Sequence, residues 1–417
     1  MKLVDKIKVF KNNISYPDML FSYPSWYVMN NNKDILKISN ISWNENLLYI
    51  HIPFCIKICS FCNVHKTKYI NIDQIENYLD VLFKEIDYFS EKLDWEIKWI
   101  YIWWWTPTIL PDELLEDLFI KINEKFNIST NCNIEIDAHP TTLTESKLAI
   151  LAKYWVSQIT MWIQSMQEDV LDNIWRLKHS YVFLEKLSRI IKKYSFKLHF
   201  DFVLWLPWDN NLNDIEKSIS FICTEFSPYS LSINSYDNTV DTELYQNNIF
   251  NFNDKKYKEK LHKDMSHISN FVKINYNIER RKTFYFSNFF RNHHNVIWIW
   301  AGSYWFIRWQ WVYKNNDYID YIKEWGVNQK KGIKSNIFDE KIMYILHNNE
   351  SIDLNANYYW LFWTRIIDDY FEKIQYFIWK WLVKLDWDNV IFNFKSKNIA
   401  RFELINLYSS SILKLYK

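Results

Sequence analysis

Between residues 46 and about 236, short apolar runs alternate with stretches of helical periodicity. The strand-like runs are 47–52, 98–102, 133–138, 158–163, 198–204 and 229–236. Each is short and rich in β-branched or aromatic residues, the signature of a buried strand. Helical spacing fills the gaps at 73–93, 111–126, 144–154, 180–194 and 213–224. Thr142 with Glu145 predicts a capping box at the start of the third helix. Six strand–helix repeats predict an α/β fold with a parallel sheet and outer helices, curved into a full or partial (β/α)6 barrel of the TIM type. The active site of such a barrel lies at the carboxyl ends of its strands.

A loop of cysteines follows the first of these strands. Cys55, Cys59 and Cys62 stand in C-x3-C-x2-C spacing. Thiolates are soft donors that suit iron–sulfur clusters or zinc. Three of them on one tight loop can hold three irons of a four-iron cluster and leave the fourth open to a small molecule. Structural zinc asks for a fourth protein ligand, which would have to be His51, His65, Cys132 or Cys223. Five cysteines, three of them clustered, fit a reducing compartment and not a disulfide framework.

The flanks of the loop narrow the choice. Tyr49, His51, Pro53 and Phe54 lead into Cys55, and Phe61 precedes Cys62. This stretch resembles the cluster loop of radical S-adenosylmethionine (SAM) enzymes. Within them it is most similar to the group of oxygen-independent coproporphyrinogen III oxidases and anaerobic heme chaperones. The resemblance implies a [4Fe-4S] cluster on Cys55, Cys59 and Cys62 that chelates SAM at its open iron. It also implies reductive cleavage of SAM to a 5′-deoxyadenosyl radical that abstracts hydrogen.

One feature of the composition conflicts with any α/β fold. The chain has 3 glycines and 23 tryptophans, where ordinary proteins carry about 7% glycine. The tryptophans stand where glycine belongs. Trp155 and Trp381 each follow a helical run and precede a strand, a place that favours a left-handed backbone. Asp386-Trp387 separates two alternating runs where Asp-Gly would make a two-residue hairpin turn. The reading is that most of these tryptophans are glycine in the living cell, from a lineage that decodes UGA as glycine.

With glycine restored, the resemblance extends over most of the chain. Residues 102–108 become a glycine-rich loop after the second strand, and the family places its counterparts of Trp104, Trp105 and Thr106 at the amino group of SAM. Tyr49 and Phe61 match family contacts beside the cluster. Asp137 stands three residues before Pro140, where the family usually has glutamate, with Glu135 as the substitute under a two-residue slip. Gln164, Arg176 and Asp201 match positions that contact the SAM carboxylate or ribose. His51 reads equally as a partner of the cluster or as a packed core histidine, and His65, His139 and His179 as solvated loop residues. Ser287, Asn288 and Phe289, and the segment 296–306, match elements at the end of the barrel.

The predicted organisation is an N-terminal extension over 1–45, a radical SAM barrel over 46–310 and a small C-terminal helical, winged-helix-like domain over 311–417. In the last part, helices are expected at 339–347 and 358–377 and a hairpin at 382–394. A net charge of +1 gives no field for nucleic acid. No stretch supplies the roughly 20 apolar residues of a membrane span, so the expectation is a cytoplasmic protein. The resemblance implies a tetrapyrrole substrate, porphyrinogen or heme, and a reduced flavodoxin or ferredoxin-type electron donor. Oxidative decarboxylation of a porphyrinogen propionate is the first expectation. A heme chaperone and a radical SAM methyltransferase are the alternatives. The segment Ser22-Tyr23-Pro24-Ser25 leans toward the oxidases. Val64 leans away, because the oxidases carry a further cysteine there.

Overall fold

The computed structural model describes residues 46–62, 66–206, 211–236, 242–246, 255–278, 295–299, 304–307, 310–313, 318–323, 331–334, 383–386 and 389–392. Strand β1 (Asn46–Ile52) leads into the paired two-residue strands β2 (Phe54–Cys55) and β3 (Thr67–Lys68). There follow α1 (Ile72–Ser90), β4 (Ile97–Trp105), α2 (Asp112–Lys125), β5 (Ile128–Ala138), α3 (Glu145–Lys153), β6 (Gln158–Gln164) and α4 (Glu168–Asn173). Next come α5 (Tyr181–Ile191), β7 (Lys197–Leu204), α6 (Leu212–Phe226), β8 (Ser230–Ser235), α7 (Glu243–Gln246) and α8 (Lys255–Tyr276). The later elements are β9 (Asn295–Ile299), β10 (Tyr304–Ile307), β11 (Gln310–Tyr313), α9 (Tyr318–Lys323), β12 (Lys331–Lys334), β13 (Val383–Asp386) and β14 (Asn389–Phe392).

The main sheet runs β12-β11-β10-β9-β1-β4-β5-β6-β7-β8. From β9 to β8 every pairing is parallel, and β10 to β12 continue it antiparallel. The six expected strands are therefore joined by β9 as a seventh parallel neighbour, docked on β1. Among the described residues the two ends of the sheet do not pair with each other, and the α/β fold is that of a partial barrel.

Period-2 alternation divides the strands between two environments. Ile50, Ile102, Ile136, Ile159, Met161, Phe200 and Ile233 belong to one apolar core that the helices complete. On α1, Tyr78, Leu82, Ile86 and Phe89 recur at helical spacing and are buried in it. The other strand face is polar and aromatic. Along one level of the register it carries Trp298, Tyr49, Tyr101, Glu135 and Gln158. One step further, His199 lies between the hydroxyls of Ser230 and Ser232 at 2.6 and 2.9 Å. Both ring nitrogens of this buried histidine are thereby paired.

Two local expectations are corrected. The N-cap of α3 is Thr144, whose hydroxyl accepts from Lys147 N–H at 3.2 Å. Thr142 instead lies in a 3-10 turn and donates to the His139 carbonyl. Strand β4 runs on through Trp103, Trp104 and Trp105, where a loop is expected. Aromatic residues favour extended backbone and so prolong it.

In the hairpin β13–β14, Asp386 is the last strand residue and pairs with Asn389, which leaves 387–388 as the two-residue connection, one place beyond the expected Asp386-Trp387. The extension 1–45, the helices expected at 339–347 and 358–377, and Ser287–Phe289 lie outside the described residues. So do His65 and Val64. Among the described residues no helix is long and apolar enough to cross a membrane.

Candidate active site at the cysteine loop

The loop after β1 is held by its backbone. Thr67 N–H donates to Pro53 O at 2.8 Å, Tyr69 N–H to Cys55 O at 2.8 Å and Cys62 N–H to Cys59 O at 3.1 Å. Lys66 Nζ donates to Cys62 O at 2.7 Å. Ser60 N–H donates to Ile174 O at 3.0 Å, which ties the loop to the end of α4.

Cys55, Cys59 and Cys62 are all buried and none is in a disulfide. Burial, then the neighbouring Cys59 and Cys62, push the Cys55 thiol well above the usual range, while Arg176 and Lys66 pull the other way. Three sulfurs this close resist ionising together unless a cation joins them, and a coordinating metal deprotonates a thiol outright. Among the described residues no group of three or more His, Cys, Asp or Glu side chains is placed to hold a metal ion. A four-iron cluster makes a different demand, because each cysteine binds its own iron. The donor set fits such a cluster.

Beside the thiols lies a cleft of about 430 Å3, measured out to its open mouth. Cys55, Cys59, Thr106, Gln164 and Arg176 line it, as do His139, Thr142 and Trp162. Arg176 is buried. Its Nη1 lies 3.5 Å from Cys59 Sγ, and its Nη2 donates to the Trp162 carbonyl. Gln164 ends β6 with φ of 66°, just past an irregularity in the β6–β7 register. A side chain held in that sparsely populated region marks a constrained site. Gln164 Oε1 and Arg176 Nε are buried without hydrogen-bond partners. Unsatisfied polar atoms in a cleft wall mark where a polar ligand fits.

The remaining expected positions are not among the described residues that line this cleft. Tyr49 is fully buried, stacks on Trp298 at 4.6 Å and has its hydroxyl 3.3 Å from His51 Nδ1. Burial first, then the charge of Asp137, raises its phenol well above the usual value. Asp137 is fully buried. Asp201 accepts from Asn234 at 3.3 Å, and Glu135 accepts from Gln158 at 3.0 Å. Phe61 packs on a small cluster that includes Val170, Ile174 and Val203. Trp104 and Trp105 are placed as β4 backbone only.

His139 and His179 are not solvated, contrary to expectation. His139 is 4% exposed and belongs to the cleft wall. Thr141 N–H donates to its Nδ1 at 3.2 Å, which leaves the proton on Nε2. The signal for it was present in the sequence, since Glu135, Asp137 and His139 share one strand alternation.

Burial, then the Arg176 charge, lowers His139 well below the ordinary histidine value and His179 from 6.5 to about 3. The unfolded chain therefore binds protons below pH 6.5 that the folded chain refuses. Stability from this pair is complete above that pH and is lost progressively as pH falls toward 3. The unfolding midpoint in denaturant should drop across that window, and His179→Gln should flatten the slope.

Lys147 joins two loops of the cleft. Its buried Nζ donates to Thr108 O at 2.7 Å and contacts Thr142 O at 3.4 Å. The Thr108 and Thr142 hydroxyls meet at 2.6 Å. Burial lowers the Lys147 pKa. Lys147→Met leaves the Thr108 carbonyl without this donor, an expected loss of about 1–3 kcal/mol in denaturant unfolding.

Comparison with known proteins adds to this geometry. The model of the radical SAM superfamily matches residues 49–222. The chain is 27% identical over 253 residues to the heme chaperone HemW of Buchnera aphidicola subsp. Schizaphis graminum, covering 57% of this chain and 65% of that one. It is 28% identical over 124 residues to the oxygen-independent coproporphyrinogen III oxidase of Salmonella typhimurium, covering 30% of this chain and 27% of that one. In both relatives the matched stretch spans less than two thirds of their length. The solved coproporphyrinogen III oxidase HemN of Escherichia coli superposes with a TM-score of 0.69 at 16% identity, over 91% of this chain and 92% of that one.

Proposed function

We propose that the chain, whose residues 49–222 match the model of the radical SAM superfamily, is a heme chaperone. It carries a [4Fe-4S] cluster on Cys55, Cys59 and Cys62, binds SAM beside it, and binds heme for delivery to a target protein. A radical SAM domain works with this cluster and this nucleotide. The observation that carries the chaperone reading is the reach of the similarity: 253 residues for the chaperone against 124 for the oxidase. Val64, where the oxidases have a further cysteine, supports it.

When bound, the cluster supplies the electron that divides SAM. The chain's own residues hold the nucleotide. Arg176 offers paired donors suited to its carboxylate. Gln164 supplies an amide, Thr106 a hydroxyl and His139 an N–H at the wall of the cleft. Trp104, Trp105 and Thr106 would meet the amino group. Tyr49, Phe61, Asp137 and Asp201 would support the site from behind. The electron would come from a reduced flavodoxin or ferredoxin-type donor.

The second reading is oxidative decarboxylation of a porphyrinogen propionate, which Tyr23-Pro24 favours. Heme titration of anaerobically reconstituted protein separates the two. Stoichiometric binding with a shifted heme absorption band, and no turnover of coproporphyrinogen with SAM and reductant, is the expected result. Vinyl product without heme binding would replace the chaperone with the oxidase.

A further inference from the structure

Six non-glycine residues among those described have positive φ, and three of them are tryptophans: Trp155 at 58°, Trp175 at 58° and Trp205 at 64°. A Cβ in the left-handed region crowds the following carbonyl oxygen. For a bulky side chain such a backbone is a genuine outlier.

The hydrogen bonds show what the backbone requires. At the end of α3, Trp155 N–H donates to Ala152 O at 3.2 Å and Val156 N–H to Leu151 O at 3.0 Å. At the end of α4, Trp175 N–H donates to Asp172 O at 2.9 Å and Arg176 N–H to Leu171 O at 2.8 Å. Both are Schellman motifs, with tryptophan at the position that glycine normally holds. Packing returns little at Trp155, which is 83% exposed, and less than a buried indole would at Trp175, which is 48% exposed, whereas the Trp205 indole donates to Asp264 at 3.1 Å. Trp175 also sets the direction of the chain into Arg176. The strain thus falls on the turn that delivers the guanidinium to Cys59.

We propose that the natural protein carries glycine at 155, 175 and 205, and with them at most of its tryptophan positions. The cleft is then wider than the indole of Trp162 leaves it, on the side where Gln164 and Arg176 stand. The backbone part of this proposal is independent of the cofactors. Only the widening of the cleft rests on the proposed function.

Peptide mass spectrometry of the protein from the cells that naturally express it should read glycine at 155, 175 and 205. Tryptophan at those places overturns the proposal. Independently, the double variant Trp155→Gly/Trp175→Gly should gain roughly ten-fold per site in its folding equilibrium constant. The matching alanine double variant keeps a Cβ and should gain little. Equal gains from alanine and glycine would refute the backbone argument. Trp162→Gly should tighten SAM binding to the reconstituted protein. Glycine masses without SAM binding would leave the decoding intact and remove the cofactor reading.

Discussion

Cys55→Ala should leave a protein that folds but assembles no four-iron cluster and releases no deoxyadenosine from SAM. Cys55 is buried at the start of the loop, where Tyr69 N–H donates to its carbonyl and not to its sulfur. The backbone of the loop is therefore indifferent to the substitution. Removing one buried sulfur costs about 1 kcal/mol in packing. The loss of one of three thiolate donors should exceed the 10–100-fold that loss of an outer partner of a metal site costs. Iron and sulfide content and visible absorption after anaerobic reconstitution check the cluster. Chromatography of deoxyadenosine checks the reaction, and a circular dichroism melt checks the fold. Undiminished deoxyadenosine from the variant would remove Cys55 from the chemistry.

Arg176→Met should keep the cluster and lose the nucleotide. The guanidinium serves two partners from one plane, the Cys59 sulfur and the Trp162 carbonyl. Methionine fills similar space with no donor. Hydrogen bonds from a charged donor are worth about 1.5–3 kcal/mol, so SAM affinity should fall between roughly ten- and a hundred-fold. Arg176→Lys retains the charge but not the fork, and should recover little. SAM-dependent change in the spectrum of the reduced cluster measures this directly. Unchanged iron content separates it from collapse of the site. Equal SAM affinity in wild type and Arg176→Met would assign the arginine to the fold alone.

Much of the barrel is legible in the sequence because its strands alternate so regularly. Ile134 and Ile136 go to the core while Glu135 and Asp137 go to the polar face, as period 2 requires. The cysteine loop falls at the carboxyl end of β1 for the same reason. Short-range rules resolve less. Helix α4 spans only Glu168–Asn173, too few residues for a periodic pattern to stand out. The turn that aims Arg176 was therefore not visible in advance. Thr142 has the spacing of a cap, but it is Thr144 that accepts from the Lys147 N–H. Histidine in a polar loop is usually solvated, yet His139 continues the alternation of Glu135 and Asp137 and is buried. Composition was more informative than pattern at Trp155, where the expected left-handed position is the observed one. Trp175 and Trp205 share that geometry but lie outside the periodic runs from which a helix end can be read.

The hydrogen bond from Ser60 N–H to Ile174 O has a mechanical consequence. Ile174 caps α4, and two residues later the chain turns Arg176 toward Cys59. Sulfur donor and guanidinium are thus anchored to the same peptide. Under the proposed function, a shift of the loop on loss of the cluster would carry Arg176 with it through this bond.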